Sequence, residues 1–217
     1  MKAVIAGATG LVGSHLLELL KDDPDFDEVW VLTRRSLNIK QKKIKEVLTD
    51  FRDLEEALKN VKATHVFCCL GTTMAKAGSK EAFKMVDLDY PLELARIMLE
   101  KNAEKYLLVS AIGASTRSLF FYSRVKGEVE SEIRRLGYPG LVIFRPSLLL
   151  GDRKENRTGE DIAKRAYGFL DKIFIGPLKK YKGIHAGTVA ACMRRMAKKS
   201  HRGTWIIESD QIQDCRA

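Results

Sequence analysis

Tyr122 and Lys126 stand four residues apart in FFYSRVKGEVE (120–130). The apolar spacing there predicts a helix over 119–136, on which the two side chains share one face. A phenol beside an ammonium is a proton relay, because the cation favours departure of the phenolic proton. The chain has 38 Lys and Arg and six Tyr among its 217 residues, so such a pair also arises by chance. Its surroundings must decide.

A second group of residues with chemical meaning opens the chain. GATGLVG places Gly7, Gly10 and Gly13 between an apolar run and a helical pattern. The first glycine allows a tight turn, the second lets a pyrophosphate approach the backbone, and the third lets helix and strand pack closely. The helix N-terminus then offers unpaired N–H groups to the phosphates. The spacing is GxxGxxG, with Ala8 where the commonest dinucleotide fingerprint has its second glycine. About twenty residues on, VLTRRS sets Thr33, Arg34 and Arg35 where an NAD enzyme carries an acid for the ribose hydroxyls. Two guanidiniums suit a 2′-phosphate instead, so NADP(H) is the expected cofactor.

These groups need a frame. KAVIAG (2–7), EVWVLT (28–33), KEVLTD (45–50), THVFCCLG (64–71), KYLLVSA (105–111), GLVIFRP (140–146) and TWIIES (204–209) read as strands. Most are continuous apolar runs, as in strands covered on both faces by helices. Helical patterns lie between them at 11–21, 53–60, 80–102, 119–136 and 186–199, with Pro91 either kinking the third or sitting in the first turn of a helix starting near Asp89. The alternation predicts an α/β fold, a doubly wound, mostly parallel Rossmann sheet in one domain over 1–217. The segment 147–185 escapes the alternation. It reads as a lid or minimal substrate lobe, with Arg153 and Arg157 as candidate contacts for an anionic substrate. Asp50 and Phe51 close the third strand and Gly71 the fourth, positions from which an adenine edge and a cofactor backbone are met.

Composition bounds the rest. The net charge is +10 with 45% hydrophobic residues, an ordinary soluble balance with an attraction for polyanions. No nucleic-acid-reading pattern accompanies the charge, so nucleic acid is an unlikely partner. Absence of an apolar run near the ~20 residues of a membrane span argues against membrane insertion. Cys68, Cys69, Cys192 and Cys215 form no CxxC, so neither a metal site nor a disulfide framework is signalled. A reducing, cytoplasmic setting is expected.

Together these motifs resemble the short-chain dehydrogenase/reductase superfamily, in its atypical and extended branches that use GxxGxxG. YSRVKGEVE, FRPSLLLGDRKENRTGE and VDLDY (86–90) are similar to the Tat-interacting-protein-like branch over nearly the whole chain. The resemblance implies hydride transfer from NADPH to a carbonyl carbon, with Tyr122 as proton donor. Ser110, twelve residues before Tyr122, would hydrogen-bond the carbonyl oxygen, and Lys126 would hold the nicotinamide ribose. It also implies a cofactor-contacting set. This comprises Gly7, Thr9, Gly10, Leu11, Val12 and Gly13, then Arg34, Arg35, Asp50, Phe51, Leu70, Gly71 and Thr72, and finally Lys126 and Pro146. Asp87 departs from the pattern, standing where many extended members have Asn. The vertebrate regulatory members of the branch open a second possibility, a cofactor-binding regulator or scaffold with a protein partner and little turnover.

Overall fold

The computed structural model describes residues 1–151 and 181–215. In chain order its elements are β1 (Lys2–Ala6), α1 (Leu11–Lys21), β2 (Glu28–Thr33), β3 (Ile44–Leu48), α2 (Leu54–Leu58) and β4 (His65–Cys68). Then follow α3 (Met74–Ala77), α4 (Lys80–Lys84), a π-helical turn (Met85–Asp89), α5 (Tyr90–Glu100), β5 (Lys105–Val109) and α6 (Phe121–Arg135). The last are β6 (Gly140–Arg145), β7 (Leu149–Leu150), β8 (Ile184–His185), α7 (Ala186–Lys198), β9 (Gly203–Glu208) and α8 (Ser209–Asp214).

All seven predicted strands are present, in one sheet of order β3–β2–β1–β4–β5–β6–β9, and every neighbouring pair is parallel. Side chains alternate across it. Ala3 and Ile5 of β1 and Leu107 and Val109 of β5 face α1 and α7, against Leu16, Leu20, Val189 and Met193. Val4, Ala6, Tyr106 and Leu108 face the other way, against α2, α5 and α6 through Leu54, Leu94, Met98, Val129 and Ile133. A sheet buried on both faces needs no polar face of its own, hence the unbroken apolar runs. The strand order reverses between β1 and β4, and the carboxyl ends there form the crevice in which α/β sheets bind ligands.

The predicted helix over 80–102 is divided into α4, the π-helical turn and α5. Pro91 explains the division. It lies in the first turn of α5, has no N–H to return to the Asp87 carbonyl, and its ring crowds that carbonyl. Just before it the helix widens by one residue, and the Tyr90 N–H reaches back to the Met85 carbonyl. The predicted strand over 64–71 ends at Cys68, because Leu70 to Thr72 turn away toward the crevice. Of the segment 147–185, the described ends pair β7 with β8 in a small parallel sheet. Arg153 and Arg157 lie outside the described residues.

The reading of all four cysteines as unlinked is corrected. Cys192 of α7 and Cys215, just past α8, form a disulfide with Cα atoms 5.4 Å apart. Sequence spacing held no sign of it, since the two meet only because α8 folds back on α7. Cys68 and Cys69 are free, and burial holds both thiols above the ordinary thiol range.

Candidate functional site

The glycine turn is built for close approach. Gly7 has φ +86°, and a Cβ there would lie 2.5 Å from the Cys69 carbonyl oxygen. A Cβ on Gly13 would overlap the Gly7 carbonyl. These contacts draw the ends of β1 and β4 and the start of α1 to one point, which no residue with a side chain would permit. Gly10 caps α1 in an extended conformation without a side-chain bond. The N–H groups of Leu11, Val12 and Gly13 are thus left for a ligand, in the manner of a phosphate site. Thr9 is exposed beside them. A Cβ on Gly151 would touch Leu11 at 3.1 Å, so the chain after β7 passes over this turn.

After β2 the chain bends sharply. The Thr33 hydroxyl donates to the Arg35 carbonyl at 2.8 Å and accepts the Arg35 N–H at 3.4 Å. Arg34 and Arg35 are exposed and make no ion pair among the described residues. The nearest acid on the neighbouring strand, Glu46, is engaged elsewhere: it accepts from the Ser36 hydroxyl at 2.7 Å and from the Leu37 and Ile39 N–H groups. Those bonds, the hydroxyl's foremost, hold its carboxyl below the usual range. The end of β2 therefore presents two exposed guanidiniums, and Glu46 is not free to compete for them.

Asp50 accepts the Arg52 N–H at 3.0 Å and is exposed. Phe51 is buried, and its ring stacks on Tyr90 with centroids 5.5 Å apart. Its backbone has φ +70°, a conformation costing a bulky residue about 1–3 kcal/mol. The aromatic ring supports α5, and it is the strained backbone that turns the chain along the crevice.

Beneath Gly71 sits a buried ion pair. Lys126 Nζ is 2.7 Å from Asp87 Oδ1, with side chains 6% and 0% exposed. Asp87 Oδ2 accepts the Thr72 N–H at 2.8 Å. Burial pulls the Lys126 ammonium toward neutrality, but Asp87, with a smaller contribution from Tyr122, holds its pKa above the ordinary lysine value. One turn earlier on α6, Tyr122 is 42% exposed and its ring meets Phe83 edge-on at 5.8 Å. A buried cation and a solvent-facing phenol on one helix face are the parts of the relay suggested by their spacing.

Ser110 is placed differently from expectation. It is buried, and its hydroxyl donates to Glu130 Oε1 at 2.6 Å. Glu130 also receives Arg145 in a fork at 3.0 and 2.6 Å, and Arg145 reaches Glu208 at 3.1 Å. Bonding to Glu130, working against burial, raises the Arg145 pKa above the ordinary arginine value. The described structure thus sets Tyr122 and Lys126 one turn apart on α6 but turns Ser110 toward a carboxylate. Pro146 is buried after β6 and its carbonyl accepts the Ile112 N–H at 2.9 Å, tying the two loops that follow β5 and β6. Sequence reasoning missed Glu130. The signal was available: Tyr122, Lys126 and Glu130 recur every four residues, a polar stripe beside the apolar Val125, Val129 and Ile133 of the same helix.

A switch-point crevice, a glycine turn and an uncapped helix start suit a dinucleotide. The chain matches the NAD dependent epimerase/dehydratase family over residues 3–203. It belongs to that family. Rat protein HTATIP2 is 37% identical over 170 residues, 76% of this chain and 70% of the relative, which sets the chain in the Tat-interacting-protein-like branch. The mitochondrial protein FMP52 of Candida albicans is 35% identical over 199 residues, 88% of this chain and 86% of the relative. Among solved structures, Thermus thermophilus UDP-glucose 4-epimerase in complex with NAD superposes with a TM-score of 0.71 at 19% identity, covering 99% of this chain and 81% of that one. The likeness confirms the Rossmann fold. The cytoplasmic expectation is corrected by these comparisons, because the FMP52 relatives of several fungi are named mitochondrial. Composition and the lack of an apolar span carry no information on which compartment holds a protein.

Proposed function

We propose that the chain is an NADPH-dependent oxidoreductase that reduces a carbonyl compound, with Tyr122 as proton donor. The observation that supports it best is the buried Lys126 beneath Gly71, one helical turn from the half-exposed Tyr122. A bound dinucleotide supplies the hydride. The N–H groups at the start of α1 would bind its pyrophosphate, Lys126 its nicotinamide ribose, and Arg34 and Arg35 its 2′-phosphate. Tyr122 would pass its proton to the substrate oxygen as the carbon is reduced. The chain reads as one dinucleotide-binding domain, with 147–185 contributing to the substrate side.

The cofactor part is tested by titration. NADPH is expected to bind at least about tenfold tighter than NADH, from charge-assisted bonds to two guanidiniums. Replacing Arg34 and Arg35 together by Ala should erase that preference and leave NADH affinity nearly unchanged. Equal affinities in the unaltered chain would refute NADPH selectivity.

A second reading, an NADP(H)-binding regulator or scaffold with little turnover, is favoured by the Ser110 hydroxyl. Committed to Glu130, it is not free to donate to a substrate carbonyl. A screen of aldehydes, ketones and quinones with NADPH separates the two readings: tight NADPH binding with no turnover across all three classes supports the regulator.

A further inference from the structure

α8 is six residues long, too short to hold its shape without tertiary support. Three fastenings of different kinds supply that support. Ile212 is fully buried in the core that α1 and α7 cover. At the start of the helix, Glu208 receives Arg145 at 3.1 Å, and the buried Ser209 hydroxyl donates to Ser147 Oγ at 2.9 Å. At its end, Cys215 is bonded to Cys192 of α7, with the Cα atoms 5.4 Å apart. This last fastening is covalent, and electron transfer can open it without touching the other two.

The first turn of α8 bears on residues well beyond it. Arg145 continues to Glu130, and Glu130 to Ser110. Ser147 donates onward to the Lys182 carbonyl just before β8, and the Ile184 N–H donates to the Leu148 carbonyl at 2.9 Å. β7, held in this way, leads into Gly151, which lies against Leu11 of the glycine turn. A helix anchored at one end by the disulfide therefore supports, at its other end, contacts that run to the crevice.

The two sulfurs are unequally accessible. Cys192 is fully buried, whereas Cys215 is half-buried. The exposed Arg195 donates from Nη1 to the Cys215 carbonyl at 3.2 Å, which sets a cation beside that residue. Such a cation favours the approach of a thiolate and stabilises the thiolate that departs.

We propose that Cys192–Cys215 is a thiol-exchange site, opened by a small thiol of the glutathione class, and that its bond latches α8 and through it Arg145 and β7. The small thiolate attacks Cys215 Sγ. The sulfur–sulfur bond breaks, and its electron pair leaves on Cys192 Sγ, which takes a proton. A second small thiolate attacks the sulfur added to Cys215 and releases Cys215, which takes a proton in turn. Two small thiols are thereby oxidised to one small disulfide, while the protein bond is reduced to two thiols. The same steps run backward close it. Cys68 and Cys69 take no part, since burial keeps both as neutral thiols. Nothing in this exchange depends on the cofactor reading above.

The test equilibrates the full chain in glutathione buffers from oxidised to reduced, then quenches, alkylates and maps the cysteines by peptide mass. Cys192 and Cys215 should pass between disulfide and thiol together and reversibly, with any trapped glutathione on Cys215. The reduced chain should melt at least about 5 °C lower, because the bond joins residues 23 apart in sequence and its loss frees that stretch in the unfolded chain. Amide exchange, read in both redox states, should quicken at least about tenfold at Cys215, whose N–H bonds the Gln211 carbonyl, and at Ile184. The amides of β1 should not change. Cys215→Ser should melt and exchange like the reduced chain in every buffer, and the two states of the unaltered chain still decide the matter if that variant fails to fold. Free thiols at 192 and 215 in excess oxidised glutathione would overturn the proposal. So would a bond that reduced glutathione opens only on unfolding, and equal exchange at Ile184 in both states would refute the latch.

Discussion

Tyr122→Phe is expected to lower kcat by about 10²- to 10⁴-fold, the usual loss on removing a general acid, or about 3–5 kcal/mol of transition-state stabilisation. The substitution deletes one oxygen and keeps the ring, so the edge contact with Phe83 survives. NADPH affinity should stay within about twofold, since in the proposed mechanism the phenol acts in the chemical step and not in holding the dinucleotide. Lys126→Ala should behave differently. It strands Asp87 as an unpaired buried carboxylate and would remove the proposed ribose contact, so cofactor affinity and turnover should both fall. Steady-state kinetics on any aldehyde, ketone or quinone found to be reduced, together with NADPH titration, provides the comparison. Full turnover in Tyr122→Phe would show that the phenol is a surface residue of α6 and that the proton comes from elsewhere.

Glu130→Ala is expected to destabilise the fold by about 3–5 kcal/mol, the usual result of removing one partner of a buried ion pair. For a chain of this size that is a fall in Tm on the order of 10 °C. The cause is the company Glu130 keeps. Its side chain is 2% exposed, and it holds Arg145 by a two-point fork and Ser110 by a single bond. Among the described residues, alanine leaves the Arg145 guanidinium with Glu208 alone to balance it and the Ser110 hydroxyl without its acceptor. Replacing Glu130 by Leu and Arg145 by Met together removes both charges and should recover most of the loss, since a buried pair contributes little net stability over apolar residues of like volume. Thermal unfolding followed by circular dichroism reads both effects. A single variant melting within about 2 °C of the unaltered chain would show that the network is incidental to stability.

The elements most visible in the sequence were those whose signal is local. Seven apolar runs, three glycines in register and an i,i+4 pair each state a backbone or packing requirement within a dozen residues. The parallel sheet, its glycine turn and the shared face of Tyr122 and Lys126 all follow from them. Arg34 and Arg35 stand exposed just past the second strand, as their place in the sequence indicated.

What the sequence determined by itself, then, was the class of fold and the glycine turn at the end of its first strand, because backbone periodicity and glycine geometry are properties of short stretches. What only the tertiary structure decided was which polar side chains meet. The disulfide between Cys192 and Cys215, the turning of Ser110 to Glu130, and the meeting of Asp87 with Lys126 join residues 20 to 39 positions apart. Whether they touch depends on how helices bend and settle on the sheet. Asp87 shows the reason best. Pro91, four residues later, disturbs the helix and widens its turn, and that local disturbance points a carboxylate at a lysine carried by another helix.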